Sequence, residues 1–180
     1  MNMYRLLIFA FTILICFGCD EDQPTSIDIP NDVELDLDQD GVSDFLIAYS
    51  LRTEGDPVGN YQAVRMNIES LDENQVLKNE DQYHHIFLKE TDVIKTEAES
   101  PFFWETTNPS SNISTPIARI RTDYDQTSWN DKWIVFSLEE HETYLIGFKL
   151  LGDNNSQIGF IEFSVDTQTG QFTLLKTEFL

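Results

Sequence analysis

The stretch Tyr144-Leu145-Ile146-Gly147-Phe148-Lys149-Leu150-Leu151 leads through Gly152-Asp153-Asn154-Asn155 into Gln157-Ile158-Gly159-Phe160-Ile161-Glu162-Phe163-Ser164-Val165. β-Branched and aromatic residues dominate both runs, and the small polar residues between them suit a hairpin turn. After a second turn over residues 167–170, a third run extends from Gln171 to Phe179. Three strands joined by tight turns make an antiparallel meander, and this decides the fold class.

Upstream the same period of two recurs. Phe45, Ile47, Tyr49 and Leu51 alternate with polar or small residues, as do Val64, Met66 and Ile68, and Ile27 alternates with Ile29 before Pro30. Residues 115–121 and 133–138 are weaker strand candidates. No stretch carries sustained helical periodicity, although residues 71–80 have room for a short helical turn. A chain of this length with about eight such strands predicts one all-β domain, an antiparallel β-sandwich of jelly-roll-like form, over residues 27–180.

The C-terminal runs resemble the closing strands of small bacterial secreted β-proteins, which pair an N-terminal D-x-D-x-D-G-x-x-D loop with a late Gly-Phe strand and a Y-G-W-I-type strand. Here Ile158 and Phe160 stand where that pattern has Tyr and Trp. The resemblance implies the fold and carries no activity with it.

The corresponding loop is Asp36-Leu37-Asp38-Gln39-Asp40-Gly41-Val42-Ser43-Asp44. Acids at its first, third and fifth positions turn hard oxygen ligands toward one centre, Gly41 at the sixth permits the sharp bend, Val42 offers a carbonyl and Asp44 closes the ninth. Oxygen ligands at this density suit Ca2+ better than a transition metal. The twelfth position is Ile47, where an EF-hand needs a bidentate Glu, so the loop instead resembles the shorter calcium loops of integrin-type repeats. The competing reading is an Asp-rich solvated turn, since Asp and Gly favour turns without any ion.

At the N-terminus, Arg5 precedes an apolar run over residues 6–17 that is too short to span a bilayer and reads as a signal peptide over residues 1–18. It ends Leu14-Ile15-Cys16-Phe17-Gly18-Cys19, which resembles the lipobox of bacterial lipoproteins, with Cys16 where Leu is usual. The resemblance implies that Cys19 carries the acyl anchor, including palmitate-type chains. Residues 19–26, with Asp20-Glu21-Asp22, then form a lipidated cysteine and acidic tether. Cleavage at this site removes one of the chain's 2 cysteines and lipidates the other, so no disulfide staples the domain. The expected location is the cell envelope, lipid-anchored at the outer membrane, with periplasmic and surface-exposed placements both open.

The formal net charge of −21 excludes nucleic acid as a partner and leaves the acyl chains as the membrane contact. Such acidity can signal disorder, but 41% hydrophobic and 12% aromatic residues are enough to build a core. His84 and His85, adjacent on a strand, would point to opposite faces and make a poor metal pair. The serines sit in no nucleophile elbow, and acids are too numerous for any one pair to nominate itself. Phe103, Trp104, Trp129 and Trp133 offer a platform for stacking on a sugar ring, or else plug the sandwich as core. The sequence thus points to a non-catalytic binding or accessory module with a structural calcium ion and a glycan or envelope protein as partner. An envelope glycan hydrolase and a purely structural envelope protein stay open as alternatives.

Overall fold

The computed structural model describes residues 27–56, 59–80, 87–88, 92–107, 115–122, 130, 132–137, 141–152 and 156–180. Among them no helix forms, and eleven strands assemble into two sheets. The first sheet has the order β1 (Val33–Leu35), β2 (Phe45–Asp56), β3 (Gly59–Ser70), β7 (Thr115–Thr122), β8 (Ile134–Val135). The second runs β11 (Phe172–Phe179), β10 (Ser156–Val165), β9 (Tyr144–Leu151), β4 (Gln75–Asn79), β6 (Phe102–Glu105), with β5 (Phe87–Leu88) also paired to β9. Every pairing is antiparallel. The molecule is an antiparallel β-sandwich.

Alternation places the core. Phe45 and Ile47 of β2, Val64, Met66 and Ile68 of β3, and Ile120 of β7 face inward from the first sheet, all at most 5% exposed. Val76 of β4, Ile146 and Phe148 of β9, and Ile161 and Phe163 of β10 meet them from the second. Phe45 and Phe148 touch across the layers with ring centroids 6.5 Å apart, and Phe163 stacks on Phe172 at 5.0 Å. Each such side chain contributes about 1.5–3 kcal/mol of burial.

One end of the sandwich is tied by Tyr49. Its hydroxyl donates to the Gly170 carbonyl at 2.8 Å and accepts from the Phe172 N–H at 3.2 Å, while its ring meets Trp133 edge-on at 5.9 Å. Burial pushes the Tyr49 phenol up to about 12, with the Phe172 N–H working against that rise. The turn that carries Gly170 is built by Asp166, whose carboxylate accepts from the N–H groups of Gln168 and Thr169 and is held below its ordinary pKa by them.

The structure corrects the sequence reading in three places. Residues 71–80 hold no helical turn beyond residues 72–73 and become strand β4 instead. Residues 27–29 are not a strand, although Ile27 and Ile29 still pack against the core. Trp133 is 2% exposed and belongs to the core, so it cannot serve in a ligand platform.

Candidate functional site

The acidic loop joins β1 to β2, and the flanking leucines explain its shape. Leu35 and Leu37 are 4% and 3% exposed, so the period of two turns Asp36 and Asp38 outward while the leucines anchor both sides. Gln39 and Gly41 take positive φ values of 63° and 92°, which reverses the chain within the loop. The carboxylates then fold inward onto the backbone. Asp36 accepts from the N–H of Asp40 at 3.2 Å and of Gly41 at 2.9 Å, Asp38 from Asp40 at 3.2 Å, and Asp40 from Val42 at 2.8 Å.

As a result, one ligand oxygen from each of Asp36, Asp38 and Asp40 lies within 4.8 Å of the others, open to solvent. Three hard oxygen donors at this separation are chemically suited to a divalent cation, and in its absence they repel. Val42, expected to lend its carbonyl, sits at the loop's exposed side with its side chain 58% accessible.

Asp44 has a different task from the three. One of its oxygens accepts from the Leu37 N–H at 2.7 Å, the other from the Asn74 amide at 3.3 Å, and its own N–H donates to Leu35 at 2.8 Å. It clasps the base of the loop. Burial raises its pKa; the Leu37 N–H opposes this, and the negative charges of Asp38, Asp36 and Asp40 add to it. Asn74, buried at 7%, carries the clasp across to the second sheet by accepting from the Leu151 N–H at 3.0 Å.

The remaining sequence candidates separate. Phe103 and Trp104 are half-buried on β6, where the Trp104 indole donates to the Lys95 carbonyl at 3.1 Å and Lys149 lies 6.0 Å from its ring. Trp129, Cys19, His84 and His85 lie outside the described residues. An open groove of about 590 Å3 is lined by Ile94, Lys95, Ile158 and Phe179 among others, with no Asp or Glu side chain among the described residues of its wall.

A second constellation escaped the sequence reading. Every arginine after Arg5 lies on β2, β3 or β7, and the register places Ser50, Arg65 and Arg119 in one cross-strand row and Arg52, Ala63 and Arg121 in the next. Both rows lie on the face of the sheet opposite Val64 and Met66, where Ala63 is itself fully buried and Arg65 and Arg119 are only partly exposed. Glu54, its side chain 8% exposed, pairs with Arg65 and, at 2.9 Å, with Arg119, and also accepts from Tyr61. Its pKa is lowered: burial acts against the charge, but the hydrogen bonds from Arg65 and Tyr61 and the two guanidinium charges outweigh it. Arg121 covers the Tyr61 ring at 4.3 Å. The sequence carries no signal for this grouping beyond each arginine's place next to an apolar strand position, because the register that joins them is not legible in it.

Fold and site together define an all-β sandwich with a carboxylate-lined loop at the entry to its longest hairpin. Family models, curated proteins and solved structures yield no match to the chain.

Proposed function

We propose that this protein is a lipid-anchored, non-catalytic binding or accessory module of the cell envelope, with a single structural calcium ion in the 36–44 loop. The observation that carries the reading is the convergence of Asp36, Asp38 and Asp40 to within 4.8 Å of one another, each braced by backbone N–H groups. Asp36, Asp38 and Asp40 would hold the ion, Val42 would offer its carbonyl, and Asp44 would complete the loop from its clasp. A bound ion supplies charge neutralisation at that turn. The anchor at Cys19 rests on the lipobox-like Leu14-Ile15-Cys16-Phe17-Gly18-Cys19. The partner is a glycan or an envelope protein.

Extracellular calcium modules bind at about 10⁻⁴ to 10⁻³ M. At tenfold saturation, linkage gives about 1.4 kcal/mol, which is roughly 3–6 °C in Tm for a domain of this size. The test is thermal melting in millimolar calcium and then in chelator, with an Asp38→Ala, Asp40→Ala protein alongside. The expected result is a shift of a few degrees that the double variant lacks. An equal Tm in calcium and chelator would assign the loop to the solvated-turn reading.

A further inference from the structure

We infer that β11 is a dimerisation edge: two copies of this chain pair their β11 strands antiparallel about a two-fold axis at Thr177, joining two sandwiches through one continuous sheet. The inference goes beyond the binding-module reading and requires neither the ion nor the anchor.

The edge itself is the first support. β11 ends the second sheet and pairs with β10 alone among the described residues. It is eight residues long, whereas the other sheet ends are β1 with three residues, β8 with two and β6 with four. Short strands blunt an edge, and a long one presents a row of unpaired backbone groups that templates association. Residues 173–176 are exposed, Leu175 at 51%, and Phe179 is 39% exposed. The Leu180 N–H donates to the Ile158 carbonyl at 3.0 Å. Backbone groups alternate sides along a strand, so those of Glu178 and Lys176 turn toward β10 while those of Thr177 and Phe179 turn outward.

Charge selects the occupant. When a strand pairs with its own copy, outward groups meet outward groups only if the two-fold axis passes through a residue, and near the middle of the exposed stretch that residue is Lys176, Thr177 or Glu178. An axis at Lys176 opposes two lysines and one at Glu178 opposes two glutamates, both unfavourable. The axis at Thr177 sets Lys176 opposite the partner's Glu178, twice over, and threonine opposite threonine, which are favourable cross-strand pairs. Lys176 and Glu178 already pair within one strand, with side chains 54% and 42% exposed. In the dimer each lysine would stand between two glutamates, in a closed ring of alternating charge. A lysine on an edge ordinarily deters pairing. A second copy brings the anion that lysine needs at the required position, and an arbitrary strand does not.

Apolar surface is the third support. The β10 register passes from Glu162 opposite Lys176 to Phe163 opposite Leu174, so Leu175 has no partner on β10. The same axis places Leu175 opposite the partner's Phe179, whose ring already lies 5.3 Å from that of the core residue Phe148. Pairing thus extends the core of one copy toward the exposed leucine of the other.

The test is sedimentation equilibrium of the full chain, in a non-ionic detergent that covers the apolar residues 6–17. The salt is about 0.15 M, at which repulsion between the two acidic copies is screened beyond about 8 Å. The parent should show a monomer–dimer equilibrium. Glu178→Lys and Lys176→Glu should each weaken self-association about tenfold or more, and an equimolar mixture of the two should restore it, because each copy then faces opposite charge. Thr177→Pro removes an outward N–H that the sheet does not use, so it should abolish the dimer with unchanged Tm. Should its Tm fall, the charge variants decide alone. The inference is overturned if the parent stays monomeric up to about 1 mM, which would leave the edge to a foreign strand. It is overturned equally if the dimer survives Thr177→Pro, or if the mixture associates no better than either charge variant alone. Melting in calcium reports on the loop separately, so either reading can fail without the other.

Discussion

Gly170→Ala tests the tie at the end of the sandwich most directly. Gly170 has φ of 76°, and a Cβ built there would lie 2.2 Å from Trp133 Cε2 and 2.4 Å from its Nε1. A left-handed backbone costs an L-residue about 1–2 kcal/mol, and overpacking a filled site costs about 1–3 kcal/mol more. The indole has little room to yield, because it is 2% exposed, edge-packed on Tyr49, and its backbone N–H is fixed to the Thr167 carbonyl at 2.7 Å. The expected loss is therefore about 2–5 kcal/mol, or roughly 5–20 °C in Tm. Urea unfolding of Gly170→Ala, Trp133→Phe and the double variant separates the two contributions. The steric part should be relieved in the double variant and the backbone part should persist, giving a coupling of about 1 kcal/mol or more. A Gly170→Ala protein as stable as the parent, or strict additivity across the cycle, would refute the reasoning.

Glu54→Gln should cost about 1–3 kcal/mol near neutral pH by leaving Arg65 and Arg119 opposed without a shared anion. Because the Glu54 pKa is lowered on folding from its ordinary 4.5, its stabilisation is present above that value and disappears as pH falls through the lowered one. Urea midpoints of parent and variant should converge in acid, and a constant gap from neutral to low pH would contradict this. Asn74→Ala removes the amide that joins Asp44 to Leu151 and leaves buried groups unpaired, at about 1–3 kcal/mol. Its Tm should fall in both calcium and chelator, and hydrogen exchange at Leu151 should quicken; unchanged exchange there would dismiss the clasp.

The long strands were legible because burial on one face imposes a period of two over many residues, as in β2, β3 and the C-terminal meander. The short strands were not. β4 reads Gln-Val-Leu-Lys-Asn, with Val76 in the core and Leu77 buried on the opposite face, so apolar residues fall side by side instead of alternating. β6 reads Phe-Phe-Trp-Glu, all half-buried, and offers no period either. The carboxylate triad was visible because its members lie within five residues of one another. Asp44's work as a clasp depends on Asn74, thirty residues away, and a spacing rule has no access to that partner. The arginine face is more distant still, since strand register alone brings Arg52, Arg65 and Arg119 together.

The bond from Tyr49 to Gly170 spans 121 residues. It also settles when during synthesis the sandwich can close. The hairpin of β2 and β3 is available early, but β9 and β10, which supply most of the opposing layer beside Val76 of β4, come later in the chain, and its end is not sealed until Phe172 arrives. Contacts of such long reach form slowly because the loop between them must close before it is rewarded. The last strand of this chain therefore completes the seal of a layer laid down more than a hundred residues earlier.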